Sequence, residues 1–132
     1  MAILISFRHN QEEFKEFANA QLNLQQNKRI EAMEKLVTLF NTNEIYIADM
    51  CRYQHAWLSF LQSDNENTKE QLNSILHDTI FKELAHIFQS ELLDYIDKDV
   101  SRAIDSYLEF LELYPNSIYY DDVRLRLREL AG

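Results

Sequence analysis

Apolar residues recur along this chain at helical intervals, and the recurrence predicts seven helices in succession. Between 11 and 26, Phe14, Phe17, Ala18, Gln21, Leu22 and Gln25 fall at helical spacing. Asn27-Lys28 reads as a short turn, and 29–41 as a second helix whose inward face is Ala32, Leu36, Leu39 and Phe40. Asn41-Thr42-Asn43 supplies residues that favour turns and caps. The third helix, about 45–62, is apolar nearly all round, from Ile45, Ile47 and Ala48 to Trp57, Leu58, Phe60 and Leu61. Such a helix is covered on several sides, which places it in the middle of a stack. The polar run Ser63-Asp64-Asn65-Glu66-Asn67 reads as a loop, with Thr68 opening a fourth helix that ends at 77. Asp78-Thr79 caps a fifth, about 79–97, and Asp97 or Asp99 caps a sixth, about 99–114. Pro115-Asn116-Ser117 stops it, because proline cannot continue the hydrogen-bond ladder. The seventh, about 118–130, turns Val123, Leu127 and Leu130 inward and Arg124, Arg126 and Arg128 outward, which suits the negative end of its dipole.

The apolar positions also echo one another at offsets of 36 and then 35 residues. The columns are Phe17/Tyr53/Phe88, Leu22/Leu58/Leu93, Leu24/Phe60/Tyr95, Ala32/Thr68/Ala103, Leu36/Leu72/Tyr107, Leu39/Ile75/Phe110 and Phe40/Leu76/Leu111. A period of about 34 residues marks stacked helix hairpins, none able to bury its apolar face alone. The expected units are about 11–42, 45–78 and 79–116 within a single domain, 1–132, because no linker interrupts the pattern. Tyr120, Val123, Leu127 and Leu130 fall 35 residues after Ala85, Phe88, Leu92 and Tyr95, so the seventh helix is half a repeat used as a lid with a polar outer face. At the other end, Ile3 and Leu4 lie 36 residues before Leu39 and Phe40. They read either as the tail of a preceding second helix, in a chain that is the C-terminal part of a longer array, or as a hydrophobic N-terminal arm.

Composition agrees with an all-α fold. Gly132 and Pro115 are the one glycine and the one proline, against roughly 7% and 5% in average usage, and tight sheet turns need positive φ. A hydrophobic share of 46% is enough for a continuous core. The formal net charge of −9 disfavours nucleic acid and anionic membrane surfaces, which are held by Lys and Arg. A lone cysteine, Cys51, excludes an internal disulfide. No apolar run approaches the ~20 residues of a membrane span. The first residues, Met-Ala-Ile-Leu-Ile-Ser-Phe-Arg, lack the basic start and small-residue cleavage site of a signal peptide. A soluble protein is expected, cytoplasmic, or periplasmic if an export signal lies upstream.

Residues 103–116, Ala-Ile-Asp-Ser-Tyr-Leu-Glu-Phe-Leu-Glu-Leu-Tyr-Pro-Asn, carry a small residue at Ala103, an aromatic at Tyr107, bulky Phe110 and Leu111, and a closing Pro115. In spacing this resembles the second helix of a tetratricopeptide repeat. The earlier units match more loosely: Ala32 is small, Thr68 less so, and neither unit closes on proline. The first-helix columns sit one residue further from Ala103 than in the family pattern, which implies a turn one residue longer. The run from Phe110 to Leu130 also looks like the ends of bacterial cell-envelope repeat proteins, including outer-membrane assembly lipoproteins. The resemblance implies a right-handed superhelix of three hairpins plus a C-terminal capping helix, with the first helices lining a concave face that holds a peptide or protein segment. The implied lining is Lys15, Ala18, Leu22, Gln25 and Gln26, then Cys51, Gln54, Leu58, Leu61 and Gln62, then His86, Gln89, Leu93, Ile96 and Asp97. Leucines with flanking amides suit such a groove, although the same leucines could pack neighbouring units together. Lys15 is its one cation, so the cluster that clamps a C-terminal carboxylate is missing.

Catalytic patterns are thin. Glu83 and His86 share the Glu-x-x-His spacing of di-iron bundles, but no second copy accompanies them. His55 lies four residues after Cys51, close enough to lower a thiol pKa, yet a cysteine in an apolar helix is ordinarily a small core residue. A single terminal glycine rules out a glycine-rich phosphate loop. His9 and His77 lie near helix ends and suit capping or solvent, while Trp57 and the tyrosines fall in packing columns. The chain therefore reads as a non-catalytic protein-interaction scaffold without metal or cofactor. The alternative is a structural or self-association element, packed against another domain or a second copy.

Overall fold

Left-handed torsions at Asn27, Ser63 and Lys98, with φ of 60°, 61° and 53°, turn the three hairpins in the computed structural model, which describes residues 2–132 and side-chain surroundings from residue 12 onward. The helices are α1 (Ala2–Gln25), α2 (Arg29–Thr38), α3 (Ile45–Leu61), α4 (Asn65–Asn73), α5 (Ile80–Glu91), α6 (Val100–Leu113) and α7 (Tyr120–Ala131), with a π turn, Leu92–Ile96, prolonging α5. Among the described residues there is no strand, and no helix is long and apolar enough to cross a membrane.

The three left-handed residues are themselves offset by 36 and 35 positions. Each first helix of the first two hairpins ends in a Schellman closure: the N–H of Lys28 reaches the Asn23 carbonyl at 2.8 Å, and that of Asp64 reaches the Ser59 carbonyl at 2.9 Å. In the third, Asp99 N–H reaches back one residue further, to Leu93 at 2.9 Å, because the last turn has π geometry. The next residue starts the second helix with nearly constant torsions: φ −94° and ψ 68° at Lys28, −91° and 76° at Asp64, −91° and 83° at Asp99. The carboxylates of Asp64 and Asp99 accept from the N–H groups of Asn67 and Arg102, both at 3.2 Å.

That cap corrects the reading of 63–67 as a loop. Asp64 starts α4 at Asn65, three residues before Thr68, because a first helical turn with free N–H groups accepts polar and acidic residues. The helix ends at Asn73 rather than 77. The helix α1 is continuous from Ala2, so Ile3 and Leu4 do not close a separate preceding helix; their side chains lie outside the described residues.

Contacts group the chain into two compact units, Met1–Thr79 and Ile80–Gly132. In the first, α1 packs on α2, α2 on α3 and α3 on α4. Ala20, Leu36, Leu39, Ile47, Cys51 and Leu58 form its buried cluster, with Phe17, Leu24, Met33 and Phe40 against it. The fully buried Thr68 occupies the small-residue position and satisfies its hydroxyl on the Asp64 carbonyl at 2.8 Å. Two buried carboxylates hold the connectors that leave the hairpins. Thr42 donates to Glu13, and Thr79 donates to Asp49 at 2.7 Å beside His77 Nδ1 at 3.1 Å. Glu13 and Asp49 are 36 residues apart, the same offset that separates the left-handed Asn27 and Ser63. The third helix is less covered than expected: Ile45, Tyr46, Trp57 and Leu61 remain exposed.

In the second unit α6 packs on α5 with its π turn, and α7 on α6. Ala103, Tyr107, Phe110 and Val123 are buried together, flanked by Ile87, Leu93, Leu111, Tyr114, Leu127 and Leu130. Two serines let α5 and α6 approach closely, with Ser90 Oγ 2.5 Å from Ser106 Oγ. Arg126 does not face outward with Arg124 and Arg128 as the arginine spacing suggests. It turns in to the buried Asp94 of the π turn, which draws α7 alongside the first helix of the third hairpin.

Candidate partner-binding surfaces

Positions 14, 18, 22 and 25 form one stripe on α1, and there Phe14, Ala18, Leu22 and Gln25 are exposed, as is the neighbouring Lys15. Leu22 is 49% exposed and Leu61 on α3 is 53% exposed, too much for residues that only pack a core. Trp57 and Gln62 extend the open surface of α3. Between the two helices Gln21 and Gln54 exchange a pair of amide hydrogen bonds, Gln21 Nε2 to Gln54 Oε1 at 2.7 Å and Gln54 Nε2 to Gln21 Oε1 at 3.0 Å. Each amide keeps a second N–H and a second lone pair for a ligand. The floor of this face is thus polar and directional, with apolar side chains on either helix.

The sequence-predicted residues divide by location. Lys15, Leu22 and Gln25 on α1, and Leu61 and Gln62 at the end of α3, are exposed, and Gln54 is the half-buried partner of Gln21 between the two helices. Leu58 is buried in the core cluster, so it packs the hairpins and is not available as a surface anchor. Cys51 is likewise fully buried. In the second unit, His86 donates from Nε2 to the Ser106 carbonyl at 2.9 Å, and its ring meets Phe110 edge-on, so it serves the α5–α6 contact. Leu93 packs against the Tyr107–Phe110 cluster, and Gln89 is half-buried, while Ile96 and Asp97 are exposed.

The columns do not reveal two features of the surface. Gln21 escapes them because its partner is 33 residues away, off the repeat offset. The other feature is an open cleft of about 560 Å³ where the start of α5 meets the α6–α7 connector, lined by Ile80, Glu83, Leu84, Leu113 to Ser117, Ile118 and Tyr119. Its signal in the sequence is Leu84, which stands 35 residues after Asp49, where the first two hairpins carry an acid.

Cys51 and His55 are both buried. Burial pushes the Cys51 thiol up to about 12, far from a thiolate at neutral pH. His55 is buried, its pKa lowered by desolvation against the opposing pull of Asp64, and its nearest polar partner is Ser59. Among the described residues no three His, Cys, Asp or Glu side chains converge. Comparison of the chain with protein-family models, with curated proteins and with solved structures finds no match.

Proposed function

We propose that this chain is a non-catalytic scaffold that holds a peptide or protein segment on the face formed by α1 and α3, as part of a right-handed tetratricopeptide-like stack of hairpins. The observation that carries the reading is the pair of half-exposed leucines, Leu22 and Leu61, set beside the reciprocal Gln21–Gln54 amides. Apolar anchors supply affinity when a partner desolvates them, and the amides fix its register. The repeated hairpin turns support a stiff support for such a surface, which lowers the ordering cost of binding.

A phage-displayed peptide library selected on the immobilised chain tests the reading. Enriched peptides bind wild type, lose at least tenfold in affinity on Leu22→Asp and on Leu61→Asp, and are indifferent to Val37→Asp, an exposed control on α2. Peptides that respond to none of the three, or only to the control, would discard this face. A second reading, self-association, draws on the other exposed apolar side chains, among them Leu108 and Leu125. A light-scattering mass that rises with concentration would favour it.

A further inference from the structure

The repeat breaks its own rule at one place. In the first two hairpins a buried carboxylate on the first helix, Glu13 and then Asp49, accepts a threonine hydroxyl from the outgoing connector. The third hairpin has Leu84 at that position, and its connector, Leu113 to Tyr119, stands off from α5 around the open cleft. A fold that satisfies one local rule twice and abandons it once points to a functional site.

The cleft has the make-up of a binding surface. Ile80 is 48% exposed, Leu113 55% and Ile118 86%, and all three line one concavity with Leu84 and Tyr119. An isoleucine so open in a concave apolar wall has an unmet burial of about 1.5–3 kcal/mol for a ligand to supply. Its size lies within the range of about 300–1,000 Å³ typical of ligand sites. Glu83 is the one charged residue of the lining, half-buried and without a hydrogen bond or ion pair among the described residues. On the α6–α7 side, from Ala103 to Val123, there are five acids, Asp105, Glu109, Glu112, Asp121 and Asp122, and no Lys or Arg, while on α5 the exposed Lys82 neighbours Glu83 in sequence and is not part of the lining.

We infer that this cleft docks a peptide segment in which a bulky apolar side chain stands next to a lysine or arginine. The apolar side chain fills the wall of Ile80, Leu84 and Ile118, and the cation pairs with Glu83. An acidic neighbour on the peptide is rejected by the same field. The site is separate from the α1–α3 face and stands or falls without it.

The test uses the full chain and two synthetic pools of capped hexapeptides. One is built from Leu, Phe, Lys and Arg, the other has Glu in place of every Lys and Arg. Methyl resonances of Ile80, Leu84 and Ile118 are followed by NMR during titration to about 1 mM, a concentration that detects weak docking. The basic pool is expected to shift these methyls, and the acidic pool to leave them in place. Glu83→Gln should weaken the basic pool at least fivefold and erase its advantage, and Ile118→Asp should abolish binding with an unchanged circular dichroism spectrum. Ile118→Ala, a milder change, should weaken binding at least threefold. Silence from both pools, equal response to both, shifts confined to other residues, or Glu83→Gln without effect would each overturn the proposal. Because Leu22→Asp and Leu61→Asp lie in the other unit, loss of the α1–α3 face leaves this outcome untouched.

Discussion

Arg126 grips the carboxylate of Asp94 with two parallel hydrogen bonds, Nε to Oδ2 at 2.7 Å and Nη2 to Oδ1 at 2.8 Å, across 32 residues of chain. The Tyr107 hydroxyl donates to the same oxygen, Oδ2, at 2.8 Å, and the guanidinium lies 4.9 Å from the centroid of the Tyr95 ring. One carboxylate therefore joins the π turn, α6 and α7. The hydrogen bond from Arg126 is the main reason its pKa is held below the usual carboxylate range, with burial opposing and Tyr107 assisting.

A carboxyl whose folded pKa lies below its unfolded value stabilises the fold above the unfolded value of about 3.9, and that contribution is lost as pH falls through the folded value. Thermal denaturation between about pH 5 and pH 2 should show a steep acid limb in wild type, and Asp94→Asn should flatten it. Identical limbs would mean that Asp94 does not couple to folding. In Arg126→Ala, hydrogen exchange should quicken along α7 and leave α1 to α4 unchanged.

His55 sets an earlier acid response in the first unit. Its imidazole is buried against Phe40, ring centroids 5.5 Å apart, and desolvation lowers its pKa. The unfolded chain takes up the proton first, near pH 6.5, so stability is full above that value and declines as pH falls through the folded one. NMR titration of the His55 ring should give a midpoint below 6.5, and His55→Gln should remove the drop in melting temperature expected between about pH 7.5 and pH 5.5. A midpoint at or above the ordinary value would contradict the assignment.

Cys51 should behave as a core reporter. With its thiol pushed up to about 12, only about one molecule in ten thousand holds a thiolate at pH 8, so alkylation should run roughly a thousandfold slower than in a free cysteine peptide. The rate should rise with denaturant in step with unfolding. Fast labelling of the native chain would show an accessible thiolate and reopen the pairing with His55.

The left-handed turns offer a gain in stability. Ser63 and Lys98 adopt positive φ without being glycine, so Ser63→Gly and Lys98→Gly should each stabilise the chain by about 0.5–1 kcal/mol. Asn27 should gain less, because asparagine tolerates that region. The two substitutions lie in different units and should add to within about 0.5 kcal/mol in chemical denaturation. Destabilisation by either would mean that the side chain makes a contact worth more than the strain.

Three packing columns of the second helices were the most legible part of the chain, while Leu76 of the fourth column is exposed. The columns Ala32/Thr68/Ala103, Leu36/Leu72/Tyr107 and Leu39/Ile75/Phe110 are all buried, at most 4% exposed, because the same packing demand recurs where the hairpins close. First-helix columns were a poorer guide: Leu22 is open and Leu58 is core, although both are leucines at one repeat position. Leucine spacing reports a helical face and is silent on what covers it. The start of α4 hid inside a polar run, and the π turn at Leu92–Ile96 has no compositional mark. Of the candidate face, the amides were visible as residue types, but not that Gln21 and Gln54 bond each other. The cleft was encoded in a substitution, Leu84 for an acid, whose meaning depends on knowing that Glu13 and Asp49 are buried.

Asparagine, serine and lysine share almost no chemistry, yet Asn27, Ser63 and Lys98 trace the same corner of the path. The side chain differs at each corner, while the torsion does not. The three hairpin corners are therefore alike in shape although no side chain is shared among them.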